Sequence, residues 1–381
     1  MQRILILFII SILFITSCSK NKKGEDFEPV DLEEITQTGT FKVLWSKELN
    51  DGKKAYGYQL IPSIDDDKVY VAGQWGEVMR LSTSNGSTDW NVELGYEISS
   101  GPGVGVDILA IGTPEGFVVA LDKNTGAEKW NVRLSSEILS PPIVDNNMVI
   151  VRAQDGRVYS LNAETGARNW LFDTNMSELT RRGNSIPVVK AGRVYIGFDS
   201  GKVAAIKQES GEVIWSQNVI DANGKTELDR LVDIDGDMAL IATDLYLSSA
   251  VGKTISVATE SGRVMWSKDV GSANGVTASR NNLYILDQES NVYALNRTSG
   301  TEEWSTSELK YRKTTRPIFY LGDVIVGDID GYIHVLDGEN GEFLARTRLG
   351  KSEFYSNVVN DGSLMIAYNK DGTLTAFEYS R

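Results

Sequence analysis

The chain has 381 residues, and its 52 acidic and 38 basic side chains give a formal net charge of −14. Nucleic acids and anionic lipid surfaces attract proteins with a basic face, so this composition argues against both as broad ligands. One cysteine and one histidine exclude an internal disulfide, a cysteine-rich metal site and most Ser-His or Cys-His catalytic arrangements. We therefore predict no metal site and no catalytic residues.

Residues 1–17 have the pattern of a secretory signal peptide. One arginine precedes an apolar run from Ile4 to Ile15, which is short of the roughly 20 residues that a membrane-spanning helix needs. The following "ITSC" resembles the bacterial lipobox, whose cysteine becomes the acylated N-terminus of a lipoprotein. This resemblance implies lipidation of Cys18, and Ser19 in place of an Asp implies sorting to the outer membrane, with the protein anchored on its periplasmic face.

Residues 18–38 are polar and charge-rich with few bulky apolar groups, which predicts a lipidated, flexible tether. We assign residues 39–381 to a single folded domain because one repeat runs through them.

The repeat is visible in "ALDKNTGAEKW" (120–130), "SLNAETGARNW" (160–170) and "ALNRTSGTEEW" (294–304). Each copy ends in a tryptophan, replaced by Ala345 in the last complete copy, and a glycine stands four positions before it. Self-similarity with a period of this size is typical of propellers and solenoids. The repeat tryptophans are Trp45, Trp90, Trp130, Trp170, Trp215, Trp266 and Trp304.

One unit, "PPIVDNNMVIVRAQDGRVYSLNAETGARNW", alternates four short strand-like runs with turn signals. Four antiparallel strands per repeat predict a propeller blade, with a solenoid as the alternative. The final copy stops before its fourth strand, and "FKVLWSKEL" (41–49) has the pattern of that missing strand, with Trp45 at the anchor position. We therefore predict an all-β, eight-bladed propeller whose N-terminal strand completes the last blade.

An aromatic residue at a fixed place in every blade is expected to fill the space between neighbouring sheets. We interpret the seven repeat tryptophans as such structural anchors. Trp75 lies outside the repeat position, and the sequence leaves its exposure open.

The motif also resembles the tryptophan-docking repeat of pyrroloquinoline-quinone (PQQ) dehydrogenases. That resemblance implies a quinone site with calcium and, commonly, a vicinal cysteine pair, whereas Cys18 is the only cysteine here. The lone histidine, His334, lies in the strand-like "GYIHVL", where a structural role is usual. A periplasmic quinoprotein dehydrogenase is kept as the alternative function, and no cofactor is predicted.

The connection that follows each tryptophan varies in length. It spans 23 residues from Trp215 to Met238 and 10 to 17 elsewhere, and all such connections should emerge on one face of the disc. Extra length on one face of a scaffold is typical of a binding surface. Two neighbouring connections combine leucine and arginine with acids, a composition that favours a protein partner. Their candidate residues are Leu179, Arg181, Arg182, Leu228, Arg230, Leu231, Asp233 and Asp235.

The stretches "GKTELDRLVDID" and "TTRPIFYLGDVIVGDIDGYIHVLDGENG" resemble the BamB family, the lipoprotein propellers of the outer-membrane β-barrel assembly machinery, the BAM complex. The resemblance covers the whole mature chain. It implies a non-enzymatic scaffold that docks on the periplasmic POTRA domains of BamA through these two loops. The matching contact positions are Leu179, Arg182, Asp233 and Asp235, whereas Arg181 replaces an apolar residue of the family pattern. Unfolded outer-membrane proteins, paired to exposed strand edges, are a second hypothesis for a partner.

Overall fold

The computed structural model of the chain describes residues 28–49, 57–173, 185–198, 200–220, 234 and 236–381. Its 32 strands form eight four-stranded antiparallel sheets, the blades of a propeller. Seven blades use four consecutive strands, here named A to D, and their A strands contact one another around the centre. Among the described residues, no helix is long and apolar enough to cross a membrane.

The first four blades follow one another in the chain. Blade 1 contains β2 (Ser63–Asp65), β3 (Lys68–Ala72), β4 (Glu77–Ser82) and β5 (Thr88–Glu93). Blade 2 contains β6 (Gly103–Val104), β7 (Ile108–Gly112), β8 (Phe117–Asp122) and β9 (Glu128–Arg133). Blade 3 contains β10 (Ile143–Asp145), β11 (Met148–Arg152), β12 (Val158–Asn162) and β13 (Arg168–Phe172). Blade 4 contains β14 (Val188–Lys190), β15 (Arg193–Gly197), β16 (Lys202–Lys207) and β17 (Val213–Asn218).

The last four blades include the one that joins the two ends of the chain. Blade 5 contains β18 (Ala239–Ile241), β19 (Asp244–Ser249), β20 (Lys253–Ala258) and β21 (Val264–Lys268). Blade 6 contains β22 (Val276–Ala278), β23 (Asn282–Leu286), β24 (Val292–Asn296) and β25 (Glu302–Thr306). Blade 7 contains β26 (Ile318–Tyr320), β27 (Asp323–Gly327), β28 (Tyr332–Asp337) and β29 (Phe343–Arg348). Blade 8 contains β30 (Val359–Asp361), β31 (Leu364–Tyr368), β32 (Thr373–Ser380) and, as its D strand, β1 (Thr40–Glu48).

Ring closure at blade 8 follows the prediction. β1 pairs with β32 over its whole length, from Thr40 opposite Ser380 to Glu48 opposite Thr373. The first described strand of the chain is therefore bonded to the last one. This pairing confirms the predicted eight-bladed, all-β propeller.

Burial follows the position of a strand within its blade. The B strand of blade 2, Ile108–Gly112, is buried along its whole length, whereas the D strand Glu128–Arg133 alternates exposed and half-buried residues. A strand covered on both faces needs a continuous apolar run, and a strand at the rim needs apolar residues on one face only. The sequence of each repeat thus encodes which strands are central and which is outermost.

Each repeat tryptophan packs on the C–D turn of the following blade. The indole Nε1 of Trp90 donates a hydrogen bond to the carbonyl oxygen of Lys123 at 3.2 Å. A Cβ on Gly126 would lie 2.8 Å from the Cε3 atom of that indole, and Gly126 has a φ of 75°. The glycine is therefore required twice, for its backbone conformation and for the space that the indole occupies. The other six tryptophans donate in the same way to Thr83, Ala163, Gln208, Thr259, Arg297 and Gly338.

The turns and connections divide between the two faces of the disc. A–B and C–D turns share one face, as the bond from the Thr83 amide to the Asp67 carbonyl shows, and we call it the turn face. B–C turns and D–A connections share the other, as the bond from the Leu94 amide to the Gly76 carbonyl shows, and we call it the loop face. All variable connections therefore start and end on the loop face, as the repeat spacing predicts.

Residues 28–38, which the sequence analysis assigned to the flexible tether, lie against blade 7. The amide of Thr38 donates to the Leu344 carbonyl at 2.8 Å, and the amide of Val30 donates to the Lys310 carbonyl at 3.1 Å. Leu32, like Trp304, packs against the apolar cluster of blades 6 and 7. We call residues 28–38 the strap; only residues 18–27 remain assigned to the tether. The signal peptide (1–17) and residues 18–27 lie outside the described residues.

Candidate functional site

The two connections predicted to bind a partner start and end on the loop face at neighbouring blades. The first leaves blade 3 after Phe172 and re-enters the described chain at Ser185. Ser185 is buried, and its carbonyl oxygen accepts a hydrogen bond at 3.3 Å from Arg152 at the end of β11. The returning end of this connection is thus anchored to blade 3.

The second connection leaves blade 4 at Ile220 and reaches blade 5 at Met238. The Val219 amide donates to the Gly201 carbonyl at 2.9 Å, and Ile220 is buried. On the far side Ile234 is fully buried, and a Cβ on Gly197 would lie 2.6 Å from its Cγ2 atom. Both stems are packed into the blade core, so this part of the loop face is a rigid platform.

The predicted contact residues themselves, Leu179, Arg181, Arg182, Leu228, Arg230, Leu231, Asp233 and Asp235, lie outside the described residues, and so does Cys18. Their roles stay predictions.

The loop face also carries a cavity of about 330 Å³ near the propeller axis, formed by connections of blades 1, 6, 7 and 8. Its charged lining residues are Lys313, Arg316 and Lys370. Arg316 lies 3.5 Å from the carboxylate of Asp237, which lies at the end of the second partner connection. Repeat analysis missed these basic residues because Lys313 and Arg316 lie in an irregular connection, and the side chain at the B–C turn position of Lys370 is not part of the repeat motif.

A larger cavity, of about 1080 Å³, lies on the turn face and is lined by Asp65, Asp66, Asp107, Asp122, Asp145 and Glu164, with Lys123 and Lys129 as its basic residues. The loop face also has an acidic cavity of about 330 Å³ between blades 5 and 6, whose charged lining residues are Asp269, Asp287 and Glu289. Charge therefore varies within the loop face, and the cavity at Lys313, Arg316 and Lys370 is the one whose lining would attract an acidic partner surface.

Trp75, left open by the sequence, is 42% exposed in the B–C turn of blade 1. It therefore lies on the loop face and adds a large apolar side chain to it. The repeat tryptophans are placed between blades instead; Trp45, Trp170 and Trp215, for example, are each at most 8% exposed.

The lone histidine is enclosed in a charged cluster of blade 7. His334 is fully buried; its Nε2 lies 2.9 Å from the Asp328 carboxylate, and its Nδ1 accepts a hydrogen bond from Arg346 Nε at 3.0 Å. Burial lowers the pKa of His334 below its ordinary 6.5. Burial alone would raise the pKa of Asp328, but its bonds to His334, the Tyr332 amide and Arg312 hold it below the ordinary value. A neutral histidine with both nitrogens engaged and no exposure supports the fold and is not accessible to a substrate.

Among the described residues, no three His, Cys, Asp or Glu side chains converge as a metal site would require.

The fold and its docked tryptophans define the class of the protein, an eight-bladed propeller with quinoprotein-like repeats. A family model described as outer membrane protein assembly factor BamB matches residues 76–306. The chain belongs to the BamB family, as the resemblance predicted. It is 41% identical to the outer membrane protein assembly factor BamB of Pseudomonas aeruginosa over 365 residues, covering 96% of each chain.

Solved structures agree with this assignment. BamB from Moraxella catarrhalis is 27% identical, has a TM-score of 0.81 and covers 89% of this chain and 100% of its own. A europium-containing methanol dehydrogenase superposes with a TM-score of 0.72 at 13% identity, covering 89% of this chain and 93% of its own. That second likeness shows the fold alone. Family membership favours the assembly hypothesis over the dehydrogenase alternative.

Proposed function

We propose that the protein is a non-enzymatic scaffold lipoprotein of the outer-membrane β-barrel assembly machinery. In this proposal it binds the periplasmic POTRA domains of BamA through the connections between blades 3 and 4 and between blades 4 and 5. The observation that carries the proposal is the placement of both connection stems, at neighbouring blades, on one face of a rigid propeller. Family membership supplies the biological setting.

The geometry supports recognition of a protein rather than a small molecule. The first connection returns to the propeller at buried Ser185, and the second leaves at buried Ile220 and returns at buried Ile234, so each connection is presented from a scaffold that need not rearrange. Binding residues on loops that a rigid scaffold positions lose little entropy on association. Leucine, arginine and aspartate in these loops provide an apolar centre with charged residues around it, the usual composition of a specific interface.

A non-enzymatic role is supported by the burial of His334 and by the family's description as an assembly factor. We further propose that acylated Cys18 anchors the protein to the outer membrane on its periplasmic face. Replacing Cys18 with Ala should then release the protein from outer-membrane fractions or leave the signal peptide uncleaved. Normal retention of Cys18→Ala in the absence of BamA would contradict the lipid anchor.

The docking proposal is tested by reversing the loop charges. Asp233→Lys together with Asp235→Lys should abolish co-purification of BamA while leaving the melting temperature unchanged, because loop residues contribute little to the blade core. Stranding a charged partner in a desolvated interface costs about 2 to 5 kcal/mol, or at least a tenfold loss of affinity. Arg182→Glu should act in the same direction.

The matched control makes the same charge change in the neighbouring blades but on the opposite face. Glu164 and Glu209 are exposed in the C–D turns of blades 3 and 4. The double variant Glu164→Lys, Glu209→Lys should retain BamA and the melting temperature. Retention of BamA by both loop variants would place the interface elsewhere. Loss of BamA with a lowered melting temperature would instead indicate that the loops support the fold.

A second candidate function, pairing with unfolded client strands, is favoured by the rim of blades 4 and 5. Each D strand is the outer edge of its sheet, and Val213, Val264 and Met265 on these two rims are 40% to 49% exposed. Exposed edges with apolar residues can accept an added strand. A photo-crosslinker at Met265 should then capture an unfolded outer-membrane protein, and one at Glu128 on the rim of blade 2 should not. Equal capture at both positions would contradict a defined client edge.

A further inference from the structure

The chain enters the propeller on the turn face. β1 starts at Thr40, opposite Ser380, and the adjoining Arg381 bonds Asp323 and Asp337 of blade 7 at 3.2 and 2.5 Å. Asp337 belongs to the C–D turn of blade 7, which lies on the turn face. If the residues before Thr40 simply left the propeller, the N-terminal segment would depart from the turn face.

The strap carries the N-terminal segment from the turn face to the loop face. Gly39 passes so close to Tyr379 that a Cβ would lie 2.5 Å from the ring. From there the strap runs beside β29. The Thr38 amide donates to the Leu344 carbonyl near the start of β29, and Nη1 of Arg346, farther along β29, donates to the Glu33 carbonyl at 2.8 Å. β29 itself runs from the C–D turn to the loop face, so the strap crosses the full height of blade 7.

The strap ends on the loop face. Both backbone polar groups of Val30 are hydrogen-bonded there. Its amide donates to the Lys310 carbonyl, and its carbonyl oxygen accepts from Arg312 Nη1 at 2.9 Å. Lys310 and Arg312 belong to the D–A connection between blades 6 and 7. The described chain therefore begins beside the same face that carries the candidate partner loops.

The two arginines that hold the strap are themselves fixed in a buried cluster. Arg312 is 4% exposed and donates to the Asp328 carboxylate at 2.7 Å and to Asp330 at 2.5 Å. Arg346 is held through its bond to His334. A donor that is already oriented loses little entropy when it binds a further acceptor. The strap is thus bound by preorganised donors along its length, with Leu32 packed between them.

We propose that the strap relocates the membrane-attached N-terminus from the turn face to the loop face, so that the loop face is the one presented to the lipid surface. This inference rests on the proposed acylation of Cys18. Ten peptide steps separate Cys18 from Glu28, a reach of at most about 35 Å at roughly 3.3 to 3.6 Å per residue. The loop face of the propeller would then be directed towards both the membrane and the partner that the loops bind.

The test measures which face lies nearer the membrane. The mature chain, purified without its signal peptide, is coupled through Cys18 to a maleimide lipid in phosphatidylcholine vesicles that contain an acceptor-labelled lipid. A donor fluorophore is attached to an azide-bearing residue at Glu115, exposed on the loop face of blade 2, or at Val106, 85% exposed on the turn face of the same blade. A second pair, Val251 and Ala242 of blade 5, separates the choice of face from a tilt of the disc.

We expect energy transfer at least twofold more efficient from the loop-face position of each pair. Replacing residues 28–38 with a Gly-Ser segment of equal length should remove or invert the difference, because the freed chain then leaves from Thr40 on the turn face. Equal transfer from both faces of the unaltered protein would overturn the inference, and so would a difference that survives the Gly-Ser replacement.

A second measurement tests strap docking directly in the unaltered protein. The amides of Val30 and Thr38 should exchange with solvent at least tenfold more slowly than the amide of Glu34, an exposed strap residue for which the described structure shows no backbone acceptor. Equal rates at all three positions would mean that the strap is not held, and would overturn the proposal.

Chemical coupling keeps this test independent of natural acylation. The mass of the N-terminal peptide from native membranes reports whether Cys18 is acylated, while the vesicle experiment reports which face the strap presents. An unmodified Cys18 would therefore refute the lipid anchor without affecting the measured exit face.

Discussion

Seven of the eight blade interfaces are built alike, and the interface between blades 7 and 8 is built differently. At the seven, an indole from one D strand donates to the C–D turn of the next blade and lies on a glycine with positive φ. At the eighth, Ala345 replaces the tryptophan and is fully buried. Blade 8 has no C–D turn there, because its C strand ends the chain and its D strand begins at Thr40.

Different residues fill the place of the missing indole and turn. Thr38 and Gly39 both donate their amides to the Leu344 carbonyl, and Tyr379 donates to the buried carboxylate of Asp323 at 3.0 Å. Arg381 adds a charged bond to the same carboxylate. Seven interfaces thus share one repeated indole contact. At the eighth, both ends of the chain make polar contacts with blade 7, here called the polar seam, beside an apolar cluster that includes Ala345 and Phe377.

The largest expected effect comes from removing the closing strand. A chain that starts at residue 50 lacks β1 and should lose more stability than any single substitution, because it exposes the edge of β32 and removes Trp45 from blade 1. A chain that starts at Glu28 is the control. Thermal and denaturant midpoints measure the difference; equal midpoints for the two chains would show that the ring does not depend on this closure.

Loss of one docked indole should come next. Trp215 is 7% exposed and donates to the Thr259 carbonyl at 2.7 Å, so Trp215→Ala should cost about 3 to 5 kcal/mol of unfolding free energy, the range for a buried tryptophan. The control is Trp75→Ala on the loop face, for which we expect a change within about 0.5 kcal/mol. Urea titration compares the two; similar losses would refute the distinction between docked and exposed tryptophans.

A smaller effect is expected from the polar seam. Tyr379→Phe removes one hydrogen bond to Asp323, a fully buried carboxylate whose pKa is raised by burial. We expect a loss of about 1 kcal/mol, since Arg381 still bonds the same carboxylate. Tyr293→Phe in blade 6, which removes a 3.3 Å bond to the half-buried Asp287, is a comparison away from the seam. A loss at position 379 as large as that of Trp215→Ala would mean that one polar bond seals the ring as strongly as an indole.

The smallest effect is a pH dependence next to the seam. Because the pKa of His334 in the folded protein lies below 6.5, the neutral imidazole contributes its full stabilisation of the fold above that pH. Below pH 6.5 the unfolded chain takes up a proton that the folded chain does not, so the free energy of unfolding decreases as the pH is lowered. The groups facing the ring are Asp328, Arg346 and Arg312.

His334→Gln lacks this proton uptake, so its stability should decline less than that of the unaltered protein between about pH 7.5 and about pH 5. Urea midpoints across that range measure the difference. Parallel curves for the two proteins would show that His334 has the same pKa in the folded and unfolded chains.

The repeat unit by itself determined most of the fold. Asp122 shows why: its carboxylate accepts from the amides of Asn124 and Thr125, so the C–D turn forms from residues adjacent in the chain. The glycine equivalent to Gly126 then recurs four residues before the anchor position in every complete copy, and the tryptophan equivalent to Trp130 occupies that position in all of them except the copy with Ala345. The number of copies and the incomplete last copy predicted the blade count and the closing strand. The sequence likewise located the candidate site on two connections, whose contact residues remain predictions.

Only the tertiary structure decided how distant segments meet. The bond between Arg346 and the Glu33 carbonyl joins residues 313 positions apart, and no spacing rule relates them. Composition alone favoured a flexible tether for residues 28–38, because a polar segment buries little apolar surface of its own. The structure docks that segment through backbone groups, which every sequence carries, onto arginines that a buried cluster orients. Local chemistry thus specifies each blade, whereas the face from which the N-terminus leaves depends on contacts that exist only once the ring has closed.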